Sequence, residues 1–342
     1  MEIKHLFKIG SDQLLSRPRD LKRGLSSGQE KWIQLLSEEY YCSAFRDHPS
    51  DQSTMTTQHY VTTLGGIRMP KLIYGTAWKK ERTAELVTLA IRKGFRGIDT
   101  ACQPKHYHEP GVGAALKKLF ASNELRREDI FIQTKFTSLD GQDPNNIPYD
   151  PDAPLAEQVK QSLEKSLQNL HTSYIDSLVL HSPMDTYKET LQVWRVFESF
   201  VQSGKVRQLG ISNCYDLSTL TRLWDEVAVK PSVIQNRFYQ RLNYDQGIRA
   251  FAKKNRIYYQ SFWTLTANPN ILKLSAMTKI AQKYQKTPEQ IFFAYLINSL
   301  GLTPLTGTSN ETHMKQDLEA LNLHLTVDEA AIFNSIVNAD KL

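Results

Sequence analysis

Between residues 72 and 309 one pattern recurs: a short, nearly continuous apolar run, then a longer segment whose apolar positions return at helical spacing. The short runs are LIYGTAW (72–78), FRGIDTA (95–101), IFIQTKFT (130–137), IDSLVLHSP (175–183), VRQLGISN (206–213), SVIQNRF (232–238), IYYQSFW (257–263) and LTPLTGTS (302–309). They do not alternate apolar with polar, so each reads as a strand buried on both faces, as in a parallel sheet. Among the longer segments, AEQVKQSLEKSLQNL and YKETLQVWRVFESFVQSG repeat their apolar residues as helices do, and the second ends on Gly204, a good C-cap position. Thr287 and Pro288 supply an N-cap and first helical residue before EQIFFAYLINSL, and Thr326 with Glu329 forms a capping box for a last helix. Eight such units over about 250 residues suit a closed (β/α)8 TIM barrel better than an open doubly wound sheet. No GxGxxG follows the first strand, which argues against a Rossmann dinucleotide site.

Ahead of the alternation, YVTTLGGIRMPKL holds two short β-like runs around Gly65-Gly66, the signal of a tight hairpin. The expected fold is α/β: a barrel over residues 58–340 with a hairpin cap, preceded by a flexible N-terminal extension over residues 1–57. The extension carries a short amphipathic piece (Trp32, Ile33, Leu35, Leu36) and a polar stretch from Asp47 to Thr54, and Met55 offers an alternative start.

Composition narrows the function classes. Apolar residues make up 40% and charged residues 23% of 342, the balance of a soluble globular protein. The net charge of +6 is spread without a Lys/Arg block, so a nucleic-acid interface is not expected. No apolar stretch is long enough to span a bilayer, and Glu2, Asp12 and Asp20 sit among the N-terminal basic residues, unlike a transit peptide. Three cysteines (Cys42, Cys102, Cys214) lack CxxC spacing, so neither a disulfide framework nor a zinc site is expected. A cytoplasmic, reducing location and a monomer or weak oligomer are the expectations, with Cys102 and Cys214 as small buried residues.

In such a barrel the active site gathers at the C-terminal strand ends. Those ends carry Asp99, Lys135, His181, Ser212, Asn213 and Gln235. A lysine inside FIQTKFT would be buried, and a buried lysine needs a partner; Asp99, one strand away, is the natural one. His181 could equally be a hydrogen-bonded rim residue, and Asn213 and Gln235 could simply satisfy backbone groups; the argument rests on convergence. A lysine can lower the pKa of a nearby phenol, and Tyr107, in the loop after the second strand, is the phenol in reach. So tuned, it is a proton donor for a carbonyl, with His181 orienting the oxygen. None of these groups supplies a hydride, so a nicotinamide cofactor is implied, with Asn213 and Gln235 as partners for its carboxamide.

GFRGIDTA…Y.E..VG.AL, LVLHSP, VRQLGISN and VIQNRFY, in this order over residues 58–337, resemble the aldo-keto reductase superfamily. The resemblance implies a barrel that binds NADP(H) or NAD(H) in an extended pose and reduces an aldehyde or ketone, or oxidises the alcohol. It places the catalytic tetrad on Asp99, Tyr107, Lys135 and His181. It assigns Thr76 and Ala77, after Gly75, to the cofactor side of the first strand, and Ser212, Asn213 and Gln235 to the carboxamide. Gln260 and Ser261 fall where an aromatic residue often stacks on nicotinamide, and Phe262 or Trp263 could stack, line the pocket or fill core. Thr308, Ser309, His313, Gln316 and Asp317 fall on the adenosine end.

The chain departs from the pattern in three ways. Asp99 and Tyr107 are eight positions apart where five is usual, with CQPKH between Ala101 and Tyr107, read as a loop insertion. Strand seven has Gln260 at the aromatic position. The lysine and arginine that grip a 2′-phosphate are replaced by Gly307 and His313, although Lys315 and the helix start after Asn310 can still meet a phosphate. The chain ends at Leu342, where many relatives carry a longer loop, which implies an open substrate pocket. Two other readings stand beside the enzyme: a nucleotide-binding regulatory subunit on the same barrel, like the β-subunits of potassium channels, and a barrel inactivated by its displaced Tyr107.

Overall fold

The computed structural model describes residues 57–338. The extension assigned to residues 1–57 lies, apart from Thr57, outside them, as do residues 339–342.

Two strands, β1 (Tyr60–Thr62) and β2 (Arg68–Pro70), pair antiparallel as the expected hairpin. Gly66 at its tip has φ +73, a left-handed conformation that only glycine takes without penalty. Eight strands follow: β3 (Ile73–Gly75), β4 (Gly97–Asp99), β5 (Phe131–Phe136), β6 (Ser177–Leu180), β7 (Leu209–Ser212), β8 (Val233–Arg237), β9 (Tyr258–Phe262) and β10 (Thr303–Thr306). They close into a barrel in chain order, every neighbour parallel, with β10 beside β3. All eight expected runs are strands, but each strand is shorter than its run. The polar residues at the run ends, such as Thr100, His181 and Asn213, lie beyond the ladder on the rim.

Helices surround the barrel: α1 (Thr83–Lys93), α2 (Glu109–Ala121), α3 (Leu155–Leu170), α4 (Tyr187–Gln202), α5 (Leu217–Glu226), α6 (Gln246–Lys254), the short α7 (Pro269–Leu272), α8 (Ser275–Tyr284), α9 (Pro288–Ala294), α10 (Glu311–Glu319) and α11 (Val327–Val337). The capping boxes at Thr287 and Thr326 form, and a further one closes the start of α4 through Thr186 and Glu189. Each such cap is worth about 0.5–2 kcal/mol. Helices α2 and α3 approach so closely that a Cβ at Gly113 would lie 1.8 Å from the Asn169 carbonyl oxygen, so only glycine fits.

Most of the core lies between helices and sheet, around Leu86, Leu116, Trp194, Phe197 and Phe292. A smaller apolar layer plugs the lumen: Ile73, Phe131, Val179 and Val233 pack on Met69 of β2. The hairpin therefore closes the N-terminal end, and the C-terminal rim is the open one.

Candidate active site

Strand residues two apart point to one face. With Phe131 in the lumen, Gln133 and Lys135 must follow it inward, and with Val233 in the lumen, Gln235 must too. The lumen above the apolar plug is consequently polar. Lys135 is fully buried and donates from Nζ to Asp99 Oδ2 at 2.6 Å and to the Thr100 carbonyl at 2.8 Å. Burial pulls the lysine pKa down, and the Asp99 charge opposes that. Asp99 Oδ1 accepts from the amides of Gln133 at 2.8 Å and Gln235 at 2.9 Å. Both amides also donate to Gln260 Oε1, at 2.7 and 2.9 Å. Three glutamines thus form a buried platform beneath the ion pair. Gln133 escaped the sequence reading, although its position two before Lys135 already puts it on the same face.

The long loop after β4 is folded back on itself. The Tyr107 and His106 amides both donate to the Gln103 carbonyl, Gln103 Nε2 donates to the Gly141 carbonyl, and the Trp78 amide donates to the His106 carbonyl. Behind the loop, the buried Glu109 carboxylate accepts from Thr134 at 2.5 Å, Ser166 at 2.9 Å and Asn169 at 3.1 Å. This anchoring delivers Tyr107 to the ion pair: Lys135 Nζ lies 5.1 Å from the centre of its ring. The His181 ring meets it edge-on, with centroids 6.0 Å apart. His106 instead stacks on Trp78 at 4.0 Å, and His108 is an exposed residue at the start of α2. Of the loop's proton-handling groups, Tyr107 alone joins the constellation.

One expectation is corrected here. A phenol lowered by lysine was anticipated, but burial and the Asp99 charge push Tyr107 up from its ordinary value. Lysine's two hydrogen bonds go to Asp99 and Thr100. His181 is lowered to about 3 by burial and by Lys135, so its imidazole is neutral at physiological pH. Thr137 Oγ1 lies 2.6 Å from its Nδ1.

The residues assigned to cofactor fall in two groups. At the end of β7, Ser212 donates to the Gln235 carbonyl at 2.6 Å, and Asn213, in the left-handed region at φ 51, donates to the His181 carbonyl at 2.8 Å. The Gln235 amide is turned into the lumen toward Asp99, as described. Gln260 is likewise in the lumen, and Ser261 accepts from Thr264 at 2.9 Å. At the end of β3, Thr76 donates to the Asp99 carbonyl and Ala77 is half-buried beside it.

Around β10 the second group comes together. Thr308, Ser309 and His313 lie at the exposed start of α10, where Asn310 caps the His313 amide at 3.1 Å. Gln316 gives its carbonyl to Gln290, and Asp317 is buried, accepting from Thr306 at 2.7 Å, with its pKa raised to about 6 by burial. A cation missed by the sequence reading stands opposite: Lys79, after the first strand, donates to the Gly307 carbonyl. A Cβ at Gly307 would sit 3.5 Å from the Gly75 carbonyl oxygen and 3.6 Å from Lys79 Nζ, so the missing side chain leaves a cradle beside an ammonium.

A model described as the aldo/keto reductase family matches residues 64–338. The chain belongs to this family. Its relatives include a methylglyoxal reductase of Yersinia pestis, 28% identical and covering 80% of this chain and 91% of that one. A glyoxal reductase of Bacillus subtilis is also 28% identical, covering 77% and 87%. Among solved structures, an aldo/keto reductase from Brucella melitensis superposes with a TM-score of 0.69 at 25% identity, over 81% of this chain and 98% of that one. An aldo-keto reductase of Bombyx mori in complex with NADP has the same fold, with a TM-score of 0.67 at 23% identity, covering 81% and 92%.

Within the aldo-keto reductase barrel the two described cysteines are packing residues. Cys102 and Cys214 are buried, and burial pushes the Cys214 thiol up to about 12. Among the described residues no cluster of metal-ligating side chains exists, and no helix is long and apolar enough to cross a membrane.

Proposed function

We propose that the barrel of residues 58–340 is an NAD(P)H-dependent carbonyl reductase, reducing an aldehyde or ketone to the alcohol with Tyr107 as the proton donor. One observation carries this reading: the folded loop brings a phenol to the Asp99–Lys135 pair and His181 at the open rim, despite its extra length. A nicotinamide dinucleotide, when bound, supplies the hydride. The cradle at Gly307, the Lys79 ammonium and the start of α10 fit its phosphates, and Ser212, Asn213 and Gln235 fit its carboxamide.

Each residue then has a defined task. Tyr107 gives its proton to the oxygen as negative charge develops there. Lys135 stabilises the phenolate left behind, and Asp99 keeps Lys135 charged and aimed. His181 stays neutral, and the tautomer that accepts from Thr137 at Nδ1 carries its proton on Nε2, where it orients the carbonyl oxygen. The raised Tyr107 pKa keeps the phenol protonated until the alkoxide forms, as a general acid requires. With Gly307 and His313 in place of a cation pair, NADH and NADPH are both candidates. The relatives make 1,2-dicarbonyl compounds such as methylglyoxal the first substrates to try.

Loss of reduced-cofactor absorbance, followed with NADPH and NADH against methylglyoxal, glyoxal and activated benzaldehydes, tests the reading. Oxidation of either cofactor supports it. Tight dinucleotide binding with no turnover on any carbonyl would replace it with the regulatory-subunit reading.

A further inference from the structure

The open rim holds a cation that this chemistry does not use. Arg237 is the last residue of β8 and the third inward-pointing position after Val233 and Gln235. At the strand rise its backbone stands about 7 Å beyond Gln235, at the open C-terminal rim. Its guanidinium carbon lies 4.0 Å from the centre of the Trp263 ring and 5.4 Å from that of Tyr239. Its backbone amide donates to Tyr215, whose hydroxyl donates to Asn213, so the strand end is tied to the candidate carboxamide site.

Among the described residues, the other stacked arginines are neutralised, spent or far from the rim. Arg127 and Arg207, on the two faces of Tyr174, share Asp176. Arg222, on Tyr187, pairs with Glu226. Arg249, over Phe238, donates to the carbonyls of Tyr244 and Val337. Arg68, over Tyr60, belongs to the hairpin at the closed end. Among the described residues, the Arg237 guanidinium has neither an ion pair nor a side-chain hydrogen bond. Stacking engages the face of a guanidinium and leaves its in-plane N–H fork free, which is the geometry that takes a carboxylate in two parallel bonds.

The platform itself is held in place. Trp263 is half exposed at 52%, yet its backbone sits at φ 54, a region a bulky side chain rarely adopts. Such conformations persist where the surroundings over-determine them, and they concentrate at binding sites. Trp78, after β3 on the other side of β10, shares both features, at 58% exposed and φ 64.

We infer that Arg237, seated on Trp263, is an oxyanion subsite of the substrate pocket, selecting carbonyl compounds that also carry a carboxylate. This rests on the reductase reading and specifies its substrate class. The carboxylate would take the guanidinium fork while the carbonyl reaches Tyr107 below.

A matched pair tests it: 4-carboxybenzaldehyde against its methyl ester, which differs by the charge. The wild-type protein should favour the acid in kcat/KM. Arg237→Gln should shift the acid-to-ester ratio ten- to hundredfold toward the ester, chiefly through KM, as loss of a charge-assisted bidentate contact does. Arg237→Lys should retain part of the preference. An unchanged ratio in Arg237→Gln overturns the inference. So does weakened NADPH binding with both aldehydes falling alike, because the guanidinium would then serve the cofactor. A binding arm separates this from failure of the reductase reading itself. Titration of tryptophan fluorescence with 4-(hydroxymethyl)benzoate should saturate in the wild type, weaken with salt and vanish in Arg237→Gln, whether or not turnover occurs. Absence of that saturable response in the wild type also overturns it. Circular dichroism checks that the variants are folded.

Discussion

Replacing Lys135 by methionine isolates the buried ion pair at the centre of the barrel. The substitution keeps most of the side-chain length and removes the charge, leaving the Asp99 carboxylate buried at 2% exposure. Breaking a buried pair from one side costs about 3–5 kcal/mol. Asp99 keeps the Gln133 and Gln235 amides at 2.8 and 2.9 Å, so the loss should fall at the lower end, about 3 kcal/mol. For a domain of this size that is a drop of roughly 6–12 °C in the thermal midpoint. Asp99→Asn leaves the ammonium buried with its main ionic support removed. Its folded pKa then falls further below the ordinary lysine value, and the unfolded chain binds more protons across that window. Stability of Asp99→Asn should therefore climb as pH is raised toward about 10. The double variant, with neither charge, should be more stable than the sum of the single losses allows, by about 2 kcal/mol or more. Urea unfolding followed by circular dichroism, at several pH values, gives all four corners of the cycle. Additive losses, or a Lys135→Met variant within about 1 kcal/mol of the wild type, would refute the claim that these charges depend on each other.

Other measurements probe the rest of the site. Tyr107→Phe should lower kcat a hundredfold or more while leaving the dinucleotide Kd in place, and His106→Ala and His108→Ala should not approach that loss; steady-state kinetics with fluorescence titration decides it. Lys79→Met should raise the Kd for both NADH and NADPH, since its ammonium flanks the cradle shared by the two. His313→Arg should move the ratio of the two affinities toward NADPH, and an unmoved ratio would show that the start of α10 does not meet the 2′-phosphate. Asp317, raised to about 6, binds a proton in the folded state that the unfolded chain releases near 4. Its contribution to stability is present below about 4 and lost as pH rises through about 6, so Asp317→Asn should flatten that fall in an unfolding-midpoint profile.

Periodicity alone was enough for the barrel, because parallel strands buried on both faces leave apolar runs that helices cannot mimic at that length. It was enough for the hairpin, the Thr287 N-cap and the Thr326–Glu329 capping box, which are local in sequence. Lys135 and Asp99 were legible for a related reason: a charge inside an apolar run has no cheap explanation except a partner. The glutamine platform was not, because glutamine breaks the apolar pattern less and its partners lie on three different strands. Lys79 and Arg237 were missed because a cation near a strand end looks like ordinary surface. Only the closed barrel sets one against the Gly307 cradle and the other on Trp263. The loop between Asp99 and Tyr107 marks the same boundary. Sequence supplied its length and pointed to Tyr107 as the phenol, whereas the folded course of the loop comes from Gln103 bound to Gly141 and Glu109 bound to Thr134, Ser166 and Asn169, on strands and helices that meet only in the folded chain.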